Sequence, residues 1–274
     1  MDTLTYRNVM TIAGSDSGGG AGIQADIKTI TALGCFATTA ITAITAQNTL
    51  GVQKIIPLTI DDVSAQINAI CEDIIPTTVK VGMLHNIPLA SLVSETMTQL
   101  EHVPFVLDPV MVAASGDTLI QNDTIEYLKS ELFPKAAIIT PNLEEGSLIT
   151  NHKINSLKDM EVAAEAIMNL NVKSLLLKGA GLEGNDTISL FYDQYGHKMI
   201  IQKPKIDTHN THGAGCTLSS AIASYLALGF NLTEAVVKAQ DFVYQAIQSS
   251  ANVVFGNGNG PLNHSFDPQK MSLK

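Results

Sequence analysis

The sequence contains no tryptophan, and aromatic residues make up only 5% of its 274 positions. Basic residues are also few, since 16 Lys and Arg stand against 26 Asp and Glu and give a formal net charge of −10. Proteins that wrap nucleic acid or coat anionic membranes need clusters of Lys and Arg, and this chain has none. We therefore expect neither partner, and any phosphate that the protein binds must be held locally.

Cysteine and long apolar runs are scarce as well. Cys35, Cys71 and Cys216 lie far apart and show no CxxC spacing, so they predict neither a disulfide framework nor a structural zinc site. No apolar run approaches the ~18 residues that span a bilayer, and residues 1–7 lack the basic and apolar segments of a signal peptide. We expect a cytosolic protein with free thiols.

What the chain does have is the pattern of an α/β protein. Hydrophobic residues make up 45% of it, and short apolar runs alternate with stretches of helical period from residues 9–13 onward, which is βαβ alternation. No repeat or linker divides the chain, and a chain of this length can form one large domain. We predict a single domain over residues 1–274, built on a doubly wound, mostly parallel sheet with helices on both faces.

Two segments have more specific patterns. Apolar and polar residues alternate over 187–203 around a turn at Tyr195-Gly196, which predicts an antiparallel hairpin at an edge of the sheet. A strong apolar stripe of helical period covers 232–247, and Asn231 and Glu234 before it have the spacing of a capping box. We predict a long helix there.

Polar residues collect where the predicted strands end. Asp108 and Lys178 follow apolar runs directly, Asn142 comes three positions after the run that ends at 139, and Glu145 lies one helical turn further on. Ligands of open parallel sheets bind at this edge. Taken singly, each residue is more simply a polar group at a strand end or helix cap. Together, two carboxylates, an amide and a lysine suit a magnesium-bound polyphosphate better than a general acid and base, and they predict phosphoryl transfer.

Two glycine-rich segments approach common nucleotide-binding motifs without matching them. Residues 18–22 would need glycine at Ile23 to complete GxGxxG, and residues 179–184 have P-loop spacing but are followed by Asn185-Asp186. Either segment can let the backbone approach a ligand, and a tight turn is an equally good interpretation. The incomplete GxGxxG argues against a nicotinamide oxidoreductase, which the βαβ pattern would otherwise allow.

The segment 210–217 lies directly before a helix predicted from about Cys216 to Leu228. Successive backbone N–H groups at a helix N-terminus favour negative charge, so they can form an anion hole for a transferring phosphoryl group. The residues that would supply this hole are Gly213, Ala214, Gly215 and Cys216. The same field would favour the thiolate form of Cys216, for which we predict a functional role.

Several segments carry a resemblance to a known family. They are TIAGSDSGGGAGIQAD at 11–26, AQNTLGV at 46–52, DPVM at 108–111, TPNLEE at 140–145, NTHGAGCT at 210–217 and GNGPLNH at 258–264. Together they are similar to the hydroxymethylpyrimidine/phosphomethylpyrimidine kinases, over nearly the whole chain. The resemblance implies a ribokinase-like fold, ATP and Mg²⁺ as cofactors, and a homodimer without a separate lid domain. It also implies transfer of the ATP γ-phosphoryl group to 4-amino-5-hydroxymethyl-2-methylpyrimidine, and then to its monophosphate, in thiamine biosynthesis.

The resemblance also implies a role for each site residue. Around the pyrimidine, Gln47 would read the aminopyrimidine edge, Asp26 would bind a polar edge or the hydroxymethyl group, Met83 and Val110 would pack on the ring, and Gly14 would let the backbone come close. Around ATP, the phosphates would meet Asn142, Lys178, Thr211, Gly213 and Gly215, while Asp108 and Glu145 would organise magnesium. Cys216 would accept the hydroxyl proton, at a position where ribokinase-like relatives usually have Asp.

Departures from the family pattern and two alternative functions complete the interpretation. Ala114 stands where lysine is common, Ala180 where a second glycine is common, and Ala214 where threonine is common. Since Ala214 keeps both flanking glycines, we expect the anion hole to form.

The alternatives are a pyridoxal or pyridoxine kinase of the same fold, against which Gln47 and Cys216 weigh, and a non-catalytic pyrimidine or vitamin sensor, which would not need the whole phosphate site.

Overall fold

A nine-stranded sheet forms the centre of the molecule. The structure is a computed structural model that describes residues 4–112 and 120–273. The strands are β1 (Asn8–Asp16), β2 (Phe36–Asn48), β3 (Gly51–Pro57), β4 (Thr78–Val81), β5 (Phe105–Leu107), β6 (Ile138–Ile139), β7 (Ser174–Gly179), β8 (Asp186–Asp193) and β9 (Lys198–Pro204). They lie side by side in the order β3-β2-β1-β4-β5-β6-β7-β8-β9. The six neighbouring strands β2, β1, β4, β5, β6 and β7 run parallel. At the two ends of this set, β3 pairs antiparallel with β2 and β8 pairs antiparallel with β7.

Helices cover both faces of this sheet. They are α1 (Gly22–Ala32), α2 (Ile60–Cys71), α3 (Ile87–Gln99), α4 (Asn122–Tyr127) with a π-helical turn over Leu128–Leu132, α5 (Leu143–Thr150), α6 (Leu157–Met168), α7 (Ala214–Ala227) and α8 (Leu232–Ser250). Helices α2 to α6 pack into one apolar core, and α1, α7 and α8 pack into the other. In β5, Phe105 and Leu107 enter the first core and Val106 enters the second, as side chains that alternate across a doubly covered strand must.

The architecture confirms the predicted fold class. The edge hairpin expected over 187–203 is β8 and β9. The capping box before α8 is also present: Asn231 Oδ1 accepts the backbone N–H of Glu234 at 3.0 Å, and Glu234 Oε2 accepts that of Asn231 at 3.3 Å. None of the helices that the structure describes has the length and apolar character to cross a membrane.

One hairpin was not predicted. The β2 strand turns at its end and pairs antiparallel with β3, from Ala43 opposite Pro57 to Asn48 opposite Gly51. The sequence over 51–57 alternates poorly, with Gln53-Lys54 followed by Ile55-Ile56, because β3 is largely exposed and one face of it buries no side chains in the core. The sheet therefore has an antiparallel hairpin at each edge rather than at one.

Candidate active site

A cavity of about 260 Å³ opens at the carboxyl ends of the parallel strands. It lies where the sequence placed the strand-end polar residues, in agreement with the geometry of open parallel sheets. The predicted site residues that line it are Gly14, Gln47, Met83, Asp108, Val110, Asn142, Glu145, Lys178, Thr211, Gly213, Ala214, Gly215 and Cys216. Of the positions at which the sequence departs from the family, Ala214 lines the cavity, Ala180 is exposed after β7, and Ala114 lies outside the described residues.

An ion pair at the ends of β5 and β7 forms one wall of the cavity. Lys178 Nζ donates to Asp108 Oδ1 at 2.9 Å, and Thr140 and Ser219 donate to the same carboxylate. Burial alone would raise the pKa of Asp108, but the ammonium groups of Lys178 and Lys80 outweigh it and hold that pKa below its usual value. Burial would lower the pKa of Lys178, and Asp108 and Glu145 reverse this. Lys178 is therefore a cation fixed at the cavity wall.

Glu145 and Asn142 meet in the capping box of α5. Asn142 Oδ1 accepts the Glu145 N–H at 2.9 Å, and Glu145 Oε2 accepts the Asn142 N–H at 2.7 Å. The Asn142 oxygen is thus occupied, and its amide nitrogen remains available as a donor toward the cavity. Burial raises the pKa of Glu145 to about 7; Lys178 opposes this and nearby Asp108 adds to it.

The start of α7 supplies backbone donors, as predicted, but fewer than expected. Ala214 N–H donates to the Thr211 carbonyl at 3.1 Å and so closes a turn. The N–H groups of Gly213, Gly215 and Cys216 donate to no backbone carbonyl among the residues described. Since these residues line the cavity and no side chain caps this helix, their amides at a helix N-terminus can form an anion site. The expectation that Ala214 also contributes its N–H is wrong.

Gly213 explains how close this helix start comes to the glycine-rich loop. Its φ of +86° lies in the left-handed region, and a Cβ there would stand 1.8 Å from the Gly20 carbonyl oxygen. Only glycine fits that backbone conformation and that contact together. The glycine-rich loop therefore packs against the start of α7. It also forms a tight turn, in which the Gly19 N–H donates to the Asp16 carbonyl at 3.0 Å, and its approach to a ligand stays a prediction.

The Cys216 thiol differs from expectation. Burial raises the pKa of Cys216 to about 11, and the neighbouring Lys80 ammonium offsets only part of that rise. The expectation of a thiolate is not met, because removal of the sulfur from water disfavours its charged form more than the nearby positive charge favours it. The thiol is protonated at neutral pH.

Asp26 is not a cavity residue, and the expectation that it binds substrate is wrong. Its side chain is fully buried and accepts hydrogen bonds from Lys80 Nζ at 2.9 and 3.0 Å, from Thr11 at 2.6 Å and from Ser220 at 2.7 Å. Lys80, in the middle of β4, lies between this carboxylate and the cavity, whose wall it joins. Burial would lower the pKa of Lys80, but Asp26 together with Cys216 raises it, so Lys80 stays charged.

Two residues to which the sequence assigned no role link the two halves of the site. His212 Nε2 lies 2.8 Å from Asp16 Oδ2, and the same carboxylate accepts the N–H groups of Gly18, Gly20 and Ala21. Asp16 thus ties the glycine-rich loop to the segment before α7. The only sequence signal was the place of Asp16 at the end of β1.

The side chains that would surround a flat ring lie on the other side of the cavity. Met83 and Gly14 approach so closely that a Cβ at Gly14 would stand 2.9 Å from Met83 Cε, and Gln47 and Val110 also line this part. The carboxamide of Gln47 lies within hydrogen-bonding reach of Thr45 and His212. A donor and an acceptor beside apolar walls is an arrangement that suits a heteroaromatic ligand.

Known proteins are similar to this chain over nearly its whole length. The family model described as phosphomethylpyrimidine kinase matches residues 16–263. The hydroxymethylpyrimidine/phosphomethylpyrimidine kinase of Bacillus subtilis is 41% identical over 95% of this chain and 96% of its own length. A probable thiamine biosynthetic bifunctional enzyme of rice is 43% identical, and the chain spans 48% of that longer protein.

Solved structures agree with this comparison. The ADP complex of Bacillus subtilis pyridoxal kinase superposes with a TM-score of 0.88 at 33% identity, over 95% of this chain and 98% of that chain. The phosphomethylpyrimidine kinase of Clostridium difficile superposes with a TM-score of 0.77 at 40% identity, over 88% of this chain and 99% of that one. Fold and site thus define a ribokinase-like small-molecule kinase. Within that class, the chain belongs to the phosphomethylpyrimidine kinase family, as its sequence motifs predicted.

Proposed function

We propose that the protein transfers the γ-phosphoryl group of ATP to 4-amino-5-hydroxymethyl-2-methylpyrimidine and then to its monophosphate, as a kinase of thiamine biosynthesis. The observation that carries the proposal is one cavity at which a fixed cation, free backbone N–H groups and a carboxamide meet. Lys178, the start of α7 and Gln47 supply these groups from distant parts of the chain. A sensor would need only the pyrimidine side of this cavity.

The phosphate half would act by position and charge. Phosphoryl transfer passes through a loose transition state that needs little covalent help from the protein, so donors fixed around the transferring group supply most of the rate. Lys178 is held by Asp108 at 2.9 Å and would meet the transferring phosphoryl group together with the amides of Gly215 and Cys216. Asn142 and Thr211 would contact the remaining phosphates.

Cys216 would take part in the late movement of the hydroxyl proton. In a loose transition state this proton leaves after most of the bond breaking, so a weak acceptor suffices. Because the resting thiol is protonated, only the fraction that has already lost its proton to water can act, as the thiolate that accepts the hydroxyl proton and becomes the thiol again. The Lys80 ammonium next to it favours that step, since a positive charge stabilises the thiolate.

Magnesium would be held mainly by the phosphates and by water. Among the described residues, no cluster of three His, Cys, Asp or Glu side chains can cage a metal ion, and Asp108 already accepts from Lys178, Thr140 and Ser219. The donor set of Asp108 and Glu145 fits Mg²⁺, which keeps several waters and takes one or two carboxylates. When bound, the ion would neutralise charge on the phosphates.

Pyridoxal phosphorylation is the second candidate function. It is favoured by the superposition on pyridoxal kinases from Bacillus subtilis and Staphylococcus aureus, with TM-scores of 0.88 and 0.86. The carboxamide of Gln47 favours the aminopyrimidine instead, because its donor and acceptor match a ring nitrogen beside an amino group. Curated relatives named as pyrimidine kinases are also more similar in sequence, at 40–42% against 30–33% for those structures.

A magnesium-ATP assay that compares hydroxymethylpyrimidine, its monophosphate and pyridoxal tests the proposal. We expect kcat/KM to be highest for the two pyrimidines, with products of the corresponding masses. A preference for pyridoxal would overturn the assignment of the substrate and leave the assignment of phosphoryl transfer from ATP in place. No turnover of the three compounds, together with tight binding of one of them, would support the sensor.

Location and assembly belong to the same proposal. We propose a cytoplasmic enzyme, because ATP is available there and because Cys35, Cys71 and Cys216 are free thiols that this compartment keeps reduced. We also propose a homodimer, as the family implies. The exposed Phe36, Ile44 and Ile56 on the β2–β3 hairpin offer apolar surface for it, and sedimentation velocity would measure the mass.

A further inference from the structure

The side chain of Gln47 lies between two polar neighbours that restrict its orientation. Its carboxamide nitrogen is placed 3.4 Å from His212 Nε2, and its oxygen 3.1 Å from Thr45 Oγ1. The two ends of a carboxamide have nearly the same shape, so the donors and acceptors around it decide which end is nitrogen. Both neighbours can be assigned from their other hydrogen bonds.

Thr45 can only accept a hydrogen bond from Gln47. Its hydroxyl oxygen lies 2.9 Å from the carbonyl oxygen of Ser15. A carbonyl oxygen cannot donate, so the single hydroxyl proton of Thr45 must lie in that contact. Toward Gln47, the hydroxyl presents lone pairs alone. The end of the carboxamide beside Thr45 is therefore matched by nitrogen and repelled by oxygen.

His212 can only donate to Gln47. Its Nε2 lies 2.8 Å from Asp16 Oδ2. Burial would raise the pKa of Asp16, but His212 and the N–H groups of Ala21 and Gly18 hold it below its usual value. The ionised carboxylate can only accept, so Nε2 carries the proton in either charge state of the ring. That proton points to Asp16, so toward Gln47, 3.4 Å away, Nε2 presents no lone pair and only a share of one N–H. The end of the carboxamide beside His212 is therefore favoured as oxygen and repelled as an NH₂ group.

We propose that Thr45 and His212 hold the Gln47 carboxamide with its nitrogen toward Thr45 and its oxygen toward His212, and that this orientation sets the specificity for the pyrimidine. A turn of 180° about the last side-chain bond interconverts the two orientations of the carboxamide. The proposed one gives the Thr45 hydroxyl a donor and removes the amide protons from beside the Nε2–H of His212. The link to specificity rests on the proposed function of Gln47. Thr45 and His212 are thus positioning residues.

The fixed orientation has a direct consequence for recognition. One amide N–H and one oxygen lone pair remain for a ligand, in a defined order along the edge of Gln47. An aminopyrimidine offers a ring nitrogen acceptor beside an amino donor and matches this order in one orientation of its ring. A pyridine alcohol without the amino group leaves the Gln47 oxygen without a donor, and an unmatched buried polar group is the main source of such discrimination.

The orientation itself can be measured without a substrate. We expect the Gln47 side-chain amide protons, assigned by their absence in Gln47→Ala, to show nuclear Overhauser effects to the Thr45 methyl group that are stronger than those to the His212 ring protons. The opposite intensities, with the strong effects to His212, would overturn the proposal.

Substitutions at Thr45 then test the effect on specificity. Thr45→Val keeps the shape and removes the acceptor, whereas Thr45→Ser keeps the hydroxyl and is the matched control. We expect Thr45→Val to weaken aminopyrimidine binding about fivefold to tenfold, as for one lost hydrogen bond, with little change in kcat and a lower preference over pyridoxine. Thr45→Ser should bind as the wild type does. An equal loss in both variants would overturn the role of the hydroxyl.

A double-mutant cycle shows whether Thr45 acts through Gln47. In a Gln47→Ala background, Thr45→Val should have no further effect on affinity. An undiminished effect in that background would overturn the positioning role. If Gln47→Ala alone leaves affinity for the aminopyrimidine unchanged, the proposed function of Gln47 fails, and with it the link to specificity, while the nuclear Overhauser measurement decides the orientation separately.

Discussion

Cys216 shows how far the surroundings of a single residue can change its chemistry. The start of α7 favours negative charge at the sulfur, and Lys80 adds a positive charge nearby, yet burial still raises the pKa of the thiol to about 11. The Lys80 charge is itself shared with Asp26, to which it is bound at 2.9 Å. The residue can serve as a proton acceptor only in a small fraction of molecules at neutral pH.

We predict that Cys216→Ala lowers kcat by about 10²-fold or more, the usual contribution of a general acid or base, with pyrimidine affinity unchanged. Because the thiol pKa is raised to about 11, the thiolate fraction and kcat of the wild type should increase with pH above neutrality, and kcat of the variant should not. Steady-state kinetics and calorimetric titration check both points. Near-wild-type turnover in Cys216→Ala would remove the thiol from the mechanism.

Glu145→Gln tests the electrostatics of the phosphate side through stability. The pKa of Glu145 is raised from 4.5 to about 7, so its contribution to stability is complete below pH 4.5 and is lost as pH increases through 7. As pH increases from 4.5 to 7, the free energy of unfolding of the wild type should therefore fall by up to about 3 kcal/mol relative to that of Glu145→Gln. Urea unfolding at several pH values measures it, and parallel profiles would contradict it.

Site residues at strand ends could be predicted from the sequence. Those whose role depends on the direction in which the side chain points could not. Asp108 and Lys178 follow short apolar runs, so their position at the sheet edge could be predicted. Asp26 lies one turn into α1, where the sequence cannot show whether a side chain points toward the cavity or beneath it. Lys80 interrupts a buried strand as a lone cation, and its partner lies 54 positions away, so nothing local indicated the pair.

At the scale of elements, the site depends on how α7 begins. Its first turn starts at a glycine in the left-handed region, packs on the glycine-rich loop and is held there by the His212–Asp16 contact. The far end of the same helix also has a left-handed glycine, Gly229, with φ of +94°. A Cβ at Gly229 would meet no atom within 4 Å in the described part of the chain.

These two glycines provide a matched pair of substitutions. Gly229→Ala should destabilise the protein by about 1–2 kcal/mol, the penalty for a left-handed residue with a Cβ. Gly213→Ala should have the same penalty and about 1–3 kcal/mol more, because its Cβ would meet the Gly20 carbonyl at 1.8 Å. It should also weaken ATP binding, while Gly229→Ala should not. Urea unfolding and nucleotide titration measure this, and equal effects of the two would contradict it.

Elements with local signals could be predicted, and those that depend on distant pairing could not. The cap before α8 was predicted because Asn231 and Glu234 meet within one turn. The β3 strand was missed because its residues from Gly51 onward bury little and pair at an edge. The chain forms β3 only if it turns at residues 48–51, and the sequence alone does not show where β2 ends and this turn begins.

The whole molecule joins its two cores through one sheet. The interior strand β1 sends Met10 into one core and Val9 into the other, and it pairs with both β2 and β4. Elements from both halves of the chain thus share a single set of strands. This arrangement supports one domain over residues 1–274, which stays a prediction.

One cooperative transition is the expected outcome. Because both cores rest on the same strands, we predict that far-UV and near-UV circular dichroism report the same urea midpoint. Saturating ADP should shift that midpoint upward for both signals, since it binds the native state alone. Two separate midpoints, or a shift in one signal only, would contradict a single domain.

The contact between Asp16 and His212 joins positions 196 residues apart, and this has a consequence for synthesis. The glycine-rich loop leaves the ribosome early, while the segment that completes the anion site belongs to the last quarter of the chain. A nascent chain that has made the central strands still lacks the helix that would bind phosphate. Kinase activity therefore requires the last quarter of the chain, and a product interrupted before α7 contains the residues of β1 to β7 without the helix start that completes the cavity.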